Sequence, residues 1–383
     1  MRYGATVLAA LGALAAPPPA YTMAPNVQPV HGTTTAPEAP QLKPGPATYA
    51  DTLAPGEKKY YAVTLDDESS AYVSAVAAPH PGTALGLRDG IAVSLQTPDG
   101  TPCGTPRHHT FLSEGGPYPL ADTAERVVKA GGPCRAAGTY RFVLERGDAA
   151  GGDPAPVPVE LAYMTAEPVD GPTAQGGWPS GAGHPMPQGV PRKVTGGTGF
   201  NDAAEVGDGV WADTLRPGET RFYRVSVDEG EQLFADAEFG GLGGRTSYTV
   251  SGVRLGLNNG ARGYVLNRTG GYKGTPTALS LAAAPTTLPG WQFLQVSVNP
   301  RAGRGEEAVP VTLRVDVAGA ARPPGSSGQG HGGVGGVAVA APGRPHNEAL
   351  RVVGYAGVGT GAVLILGLGV WALLARRRAR SAP

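Results

Sequence analysis

Residues 49–64 read YADTLAPGEKKYYAVT, and residues 211–226 read WADTLRPGETRFYRVS. From Ala50 to Val63, nine of fourteen positions are identical at an offset of 162. In the first stretch Tyr61, Val63 and Leu65 alternate with Ala62 and Thr64; in the second Tyr223, Val225 and Val227 alternate with Arg224 and Ser226. A period of two with aromatic and β-branched enrichment is the signature of a half-buried strand. Ahead of each run stand Pro55-Gly56 and Pro217-Gly218. Proline presets φ for the first turn position and glycine accepts positive φ at the next, so each stretch predicts strand, turn, strand.

The repetition continues outward. The same offset brings GIAVSL at 90–95 onto GVRLGL at 252–257. Further on the offset is 152: PVEL at 158–161 meets PVTL at 310–313, and Phe142 and Leu144 meet Leu294 and Val296. Self-similarity at this length means two copies of a domain, the first with an insertion in its middle. Each copy, about 115 residues long, can close its own core. Neither shows a long helical period with caps, and short strands between turns predict an all-β chain of two tandem antiparallel sandwiches.

Glycine and proline make up 60 and 38 of the 383 residues. They concentrate in three stretches with little periodic pattern: 9 in 17–44, 15 in 167–205 and 13 in 319–347. These read as exposed tails and linkers. Charged residues are only 16% of the chain and the formal net charge is zero, which argues against a nucleic-acid-binding face or an acidic disordered tail. Arginine outnumbers lysine 25 to 6, and with abundant Ala, Gly and Pro this points to a GC-rich bacterial coding sequence of actinobacterial type.

The two ends predict export and anchoring. Met1-Arg2 followed by the apolar run Tyr3 to Ala16 fits a secretory signal peptide. Ala13-Leu14-Ala15 offers a cleavage site, and Thr22-Met23-Ala24 a poorer one that would leave Pro25 at the new N-terminus. Residues 352–375 carry no charge, and at 1.5 Å per residue they span roughly 36 Å, enough to cross a bilayer. Arg376, Arg377, Arg378 and Arg380 follow and are expected to hold the tail in the cytoplasm. Gly357 and Gly361 match the small-xxx-small pattern of helix packing within the span. No LPxTG-like wall-anchoring motif precedes it in 341–351. The expected division is signal peptide 1–24, Pro-rich tail 25–44, sandwich 45–166, linker 167–205, sandwich 206–318, juxtamembrane linker 319–351, transmembrane helix 352–375 and cytoplasmic tail 376–383.

Both copies resemble the bacterial pre-peptidase C-terminal domain. The residues that carry this are Leu53, Pro55-Gly56, Tyr60-Tyr61, Val63 and Leu65, and again Leu215, Pro217-Gly218, Phe222-Tyr223, Val225 and Val227. Leu95 to Gly100 (LQTPDG) resembles the family's middle hairpin, and Ala137 to Val143 (AGTYRFV) its late strand. In the second copy the late element survives only as Pro289-Gly290-Trp291, and the family's central Asp-rich strand is replaced by Gly90 to Ser94. The resemblance implies jelly-roll-like sandwiches that act as noncatalytic appendages binding polymers or other proteins.

Few residues carry candidate chemistry. Cys103 and Cys134, the only cysteines, flank the extra segment of the first copy and predict a disulfide in an exported chain. His108 and His109 are adjacent; on a strand their rings point to opposite faces, which disfavours chelation and leaves a solvated loop. Asp66-Asp67-Glu68 and Asp228-Glu229 could hold calcium but read first as turn residues. Asp51-Thr52 and Asp213-Thr214 recur in the repeat and suit a turn role, since such side chains bond their own backbone. Trp178 and Trp291 could stack on sugars; Trp178 lies in the linker, and Trp291 is expected inside the second sandwich. No G-x-S-x-G, H-E-x-x-H, P-loop or dinucleotide fingerprint is present. No catalytic residue, metal or cofactor is predicted.

The expectation is a noncatalytic, single-pass surface protein in the plasma membrane, with the bulk of the chain outside and an envelope protein or glycan as partner. The alternatives are an accessory subunit of a membrane secretion or transport complex, and an enzyme with an unrecognised site.

Overall fold

The computed structural model describes residues 20–128, 134–167, 184–243, 248–303 and 307–319. They form an all-β structure with no α-helix among the described residues. The first copy holds β1 (Gln28–Pro29), β2 (Gln41–Leu42), β3 (Thr48–Leu53), β4 (Lys58–Leu65), β5 (Ser70–Ala77), β6 (Gly90–Gln96), β7 (Arg107–Thr110), β8 (Leu120–Arg126), β9 (Gly138–Arg146) and β10 (Val157–Ala166). The second holds β11 (Arg192–Lys193), β12 (Ala204–Glu205), β13 (Gly209–Leu215), β14 (Thr220–Val227), β15 (Gln232–Phe239), β16 (Thr249–Asn258), β17 (Tyr264–Tyr272), β18 (Thr277–Ala282), β19 (Gly290–Val298) and β20 (Val309–Ala318).

Each copy is a pair of five-stranded sheets. In the first the orders are β2-β4-β9-β6-β7, called sheet I, and β1-β3-β10-β5-β8, called sheet II. In the second they are β12-β14-β19-β16-β17, sheet III, and β11-β13-β20-β15-β18, sheet IV. Adding ten to every strand of the first copy reproduces the second. The quoted repeats are β3 with β4 and β13 with β14. The two members of each pair lie in different sheets, so the Pro-Gly turn carries the chain across the sandwich rather than closing a hairpin. Gly56 at φ 71° and Gly218 at φ 92° occupy the left-handed region that the turn requires. The Glu57 carboxylate accepts from the Ala54 amide at 2.7 Å, and Glu219 repeats this with the Arg216 amide at 3.0 Å. The third repeated residue of PGE thus staples the crossover shut.

Inside each sandwich the alternating residues of the two sheets interdigitate. Tyr61, Val63, Phe142 and Leu161 belong to the first core, Tyr223, Val225, Leu294 and Leu313 to the second. Arg146, at the end of a core-facing row, is 4% exposed and makes a two-pronged ion pair with the fully buried Asp89, with contacts at 2.8 Å and 2.8 Å.

The stretches ahead of each copy depart from the expected tail and linker. Within 25–44, β1 and β2 add in parallel to β3 and β4, one to each sheet, and bury Val30 and Leu42. Within the described part of 167–205, β11 and β12 do the same beside β13 and β14, and Phe200 and Ala203 are buried. Strands of two residues show no readable period, and their Pro and Gly neighbours look like spacer composition. The expected signal peptide within 1–19, Trp178, and residues 320–383 with Gly357, Gly361, Arg376, Arg377, Arg378 and Arg380 lie outside the described residues. Among the described residues no helix is long and apolar enough to cross a membrane.

Candidate functional site

The most elaborated side-chain assembly is the seam where the two sandwiches meet. Strand β5 is buried at all eight positions, and the last seven residues of both β16 and β19 are buried as well. A strand with one face on its own core should alternate; burial on both faces means a second contact. The outward face of sheet II lies against sheet III. At its centre Val76 and Ala121 of the first sandwich meet Phe222 and Phe293 of the second, with Phe200 from the preceding segment wedged among them. Beside it Tyr72 packs on Ala261 and Leu288.

Polar contacts surround this apolar centre. Thr123 Oγ1 donates to the Ala261 carbonyl at 2.7 Å, the Tyr264 amide donates to Asp122 at 3.1 Å, and Asn258 Nδ2 donates to the Ala121 carbonyl at 3.3 Å. Two buried carboxylates of the first sandwich take cations from the second. Glu114 is held by Arg254 at 2.8 Å and by the Asn267 amide group. Arg254 also donates to Gln295 at 3.0 Å, and Gln295 in turn donates to Asn258 at 2.7 Å. Gly256 leaves room for this: a Cβ there would stand 2.8 Å from the Arg254 guanidinium carbon. Glu160, fully buried, is held by Arg262 at 3.2 Å and accepts from Asn201 and from the Tyr21 hydroxyl. Burial alone would raise the Glu160 pKa, but Arg262 and these donors outweigh it and hold the carboxyl below its ordinary value.

His109 belongs to the same seam. Its Nε2 lies 3.1 Å from Asp122, its Nδ1 3.8 Å from Glu114, and its ring 4.3 Å from that of Tyr264. The expected solvated loop is therefore a short strand, β7, with His108 exposed and His109 turned into a junction. An aromatic neighbour and two carboxylates orient this imidazole, which makes it a fixed part of the junction.

The repeated Asp51 and Asp213 are hubs within each sandwich and reach well beyond their own turns. Asp51 accepts from the Gly32 amide at 2.8 Å, the Tyr61 hydroxyl at 2.8 Å, the Thr52 amide at 2.7 Å and Lys59 at 2.8 Å. Asp213 repeats the first three with Gly196 at 2.8 Å, Tyr223 at 2.7 Å and Thr214 at 2.7 Å. Each clasp ties the leading segment to the crossover pair. Burial pushes the Asp51 carboxyl upward, and the four donors more than reverse it, so its pKa lies below the ordinary value. In the second copy the place of Lys59 is taken by Arg221, which turns to Glu219 at 3.2 Å instead.

The remaining sequence candidates fall as follows. Cys103 and Cys134 form a disulfide. Asp66 accepts from the Glu68 and Ser69 amides at 3.0 and 2.6 Å, the geometry of a turn. Among the described residues no three His, Cys, Asp or Glu side chains gather as a metal site. Trp291 packs beside Phe293 and Phe200 at the seam, with the Arg224 guanidinium 4.5 Å from its ring centre. A cleft of about 170 Å³ opens in the second sandwich between Leu257, Leu288 and Gln292, below the ~300–1,000 Å³ of ordinary small-molecule sites. Sequence reasoning missed the seam; a signal was present in the outward-facing Phe222 and Phe293, where a lone sandwich would place polar residues.

No known protein family and no curated protein matches the chain. Among solved structures, the periplasmic inhibitor of g-type lysozyme from Aeromonas hydrophila, PliG, is 17% identical, covering 30% of this chain and 96% of that one at a TM-score of 0.19. The CUB1-EGF-CUB2 domain of human MASP-1/3 is 8% identical, over 70% of this chain and 99% of that one, at 0.19. A Paenibacillus xanthan lyase is 11% identical, over 71% of this chain and 25% of that one, at 0.21. Similarity at that level carries no argument about this chain.

Proposed function

We propose that the chain is a noncatalytic, single-pass surface protein that presents two fused sandwiches outside a bacterial plasma membrane as one rigid binding or scaffolding head. The observation that carries this reading is the seam. The buried carboxylates Glu114 and Glu160 are occupied in joining the sandwiches, and the outer faces of sheets I and IV are left as broad surfaces at a fixed spacing. The strand order of each copy supports a jelly roll of two Greek keys, a frame that often works by surface recognition. It is compatible with the resemblance to pre-peptidase C-terminal domains, which would place the activity in association with a polymer or another protein.

On this reading residues 352–375 cross the bilayer, the arginines after them stay in the cytoplasm, and the partner is an envelope protein or glycan. The test is capture from envelope extracts with the full chain in detergent or nanodiscs, its fold checked by circular dichroism. Specific retention of a protein or glycan is expected, and retention of nothing refutes the reading. Replacing Gly357 and Gly361 with leucine separates it from membership in a membrane complex. Capture should survive the change if the head does the binding, and disappear if the span does.

A further inference from the structure

The first described residues form a strap that closes one end of the seam. The Tyr21 hydroxyl donates to Glu160 Oε2 at 2.6 Å, and its ring meets those of Phe222 and Phe200 edge-on at 5.8 and 6.4 Å. The Thr22 amide donates to the Thr198 carbonyl at 3.2 Å, and the Ala24 amide to Glu160 Oε1 at 3.3 Å. The strap runs so close to Gly199 that a Cβ there would stand 2.2 Å from the Thr22 oxygen. Thr22, Tyr21 and Ala24 thus touch both sandwiches and the segment that joins them.

This bears on the two cleavage sites open in the sequence. Cutting after Ala24 would delete Tyr21 and Thr22, remove two donors from the buried Glu160 and uncover the Phe200 and Phe222 rings. A buried carboxylate stripped of its donors destabilises the fold, so such a mature chain would lose a built element of its own junction. Cutting after Ala15 spares the strap. Ala13 and Ala15 place small side chains at the third and first positions before the bond, as leader peptidases require.

We infer that the exported protein is cut between Ala15 and Ala16, so that the mature chain keeps Tyr21 to Ala24, which form the strap. In the step water adds to the Ala15 carbonyl carbon, the amide bond to Ala16 breaks, and the proton goes to the new Ala16 amine. The inference rests on the export reading above.

The experiment is N-terminal sequencing and intact mass of the full chain recovered from membranes of an exporting bacterial host. The expected first residue is Ala16. Ala15→Leu should leave the leader attached, and Ala24→Leu should leave the start at Ala16; both changes act without touching the folded sandwiches' cores. A chain that starts at Pro25, or anywhere other than Ala16, overturns the site, as does an uncut chain in the membrane or the reverse response of the two variants. An uncut chain confined to the soluble cytoplasmic fraction overturns the export reading itself.

Discussion

The duplicated clasp offers a test in which the protein is its own control. Asp51→Asn and Asp213→Asn remove the same charge from the same place in two sandwiches, yet they should not cost the same. In the second sandwich the change weakens three hydrogen bonds to a carboxylate, from Gly196, Thr214 and Tyr223, and strands no cation, because Arg221 is turned to Glu219. Loss of charge-assisted bonds of this kind costs about 1–3 kcal/mol. In the first sandwich the same bonds weaken, and in addition Lys59, with a side chain 10% exposed, loses its ion pair at 2.8 Å. It retains only the Thr52 carbonyl at 2.7 Å and Glu57 at 3.8 Å. Removing one partner of a buried pair costs about 3–5 kcal/mol. The retained contacts place Asp51→Asn near the lower end, about 3 kcal/mol. Against about 2 kcal/mol for Asp213→Asn, the middle of its range, chemical denaturation followed by tryptophan fluorescence should therefore show the Asp51 variant the weaker by on the order of 1 kcal/mol. Adding Lys59→Met to it should restore part of the loss, as removal of both members of a buried pair generally does. Equal losses, a greater loss for Asp213→Asn, or no recovery from Lys59→Met would refute the assignment of Lys59 as the distinguishing charge.

The seam and the covalent staple give further expectations. Arg254→Met leaves Glu114, 3% exposed, without its cation and should cost about 3–5 kcal/mol in denaturant unfolding, while the double change with Glu114→Gln should cost less than Arg254→Met alone. Because the pair joins the two sandwiches, the single variant should also split or broaden a transition that is single in the parent. Changing Cys103 and Cys134 to serine opens a loop with a separation of 31 and should lower stability by about 3–4 kcal/mol, a difference that reductant abolishes when the parent is reduced. Stability should be flat near neutral pH and fall in acid. Asp51 and Glu160 both have folded pKa values below their ordinary ones, so their contribution is full above the unfolded values of about 3.9 and 4.3 and is lost as pH drops through the folded values. A melting temperature that rises between pH 5 and pH 3 would contradict that sign.

The sandwich itself was legible because its core-facing rows obey a simple period. Tyr61, Val63 and Leu65 alternate with residues of the other face, and the copies reinforce one another. The leading segments were not legible. A two-residue strand such as Gln41–Leu42 has no period, and Leu42, wholly buried, sits among prolines that elsewhere mark exposed chain. The clasp was half legible: the recurrence of Asp51 and Asp213 marked them, but their partners Gly32 and Gly196 lie nineteen and seventeen residues upstream in segments set aside as spacer. The seam was the hardest, because a strand covered on both faces loses its alternation. In β5, SAYVSAVA, the row Ala71, Val73, Ala75 and Ala77 reads as core, while Ser70, Tyr72, Ser74 and Val76 mix polar and apolar residues and do not say what buries the second face.

The two copies also differ on the faces that lie away from their junction. The contact joins unlike faces, sheet II of one copy to sheet III of the other, and a heterologous contact of this kind can in principle repeat without end. The surfaces that would continue it are the outer faces of sheets I and IV. On sheet I the positions equivalent to Phe222 and Phe293 are Tyr60 and Arg141, and those equivalent to Thr220 and Ser297 are Lys58 and Glu145, an ion pair at 2.8 Å. On sheet IV the positions equivalent to Val76, Ala162 and Met164 are Glu238, Arg314 and Asp316, with Arg314 3.3 Å from Glu238. Asp316 is engaged by His184 at 2.7 Å, whose ring stacks on Phe234 where the first copy has Tyr72 facing its neighbour. Burying these faces against one another would desolvate charges now held in water or in surface pairs, at several kilocalories per ion. The copies thus differ by face: an apolar centre flanked by the buried pairs Glu114–Arg254 and Glu160–Arg262 where they meet, and more exposed paired charges on the faces that lie away from the junction. This divergence keeps charged residues on the outer rows of sheets I and IV, among them Lys58, Glu145, Glu238 and Arg314.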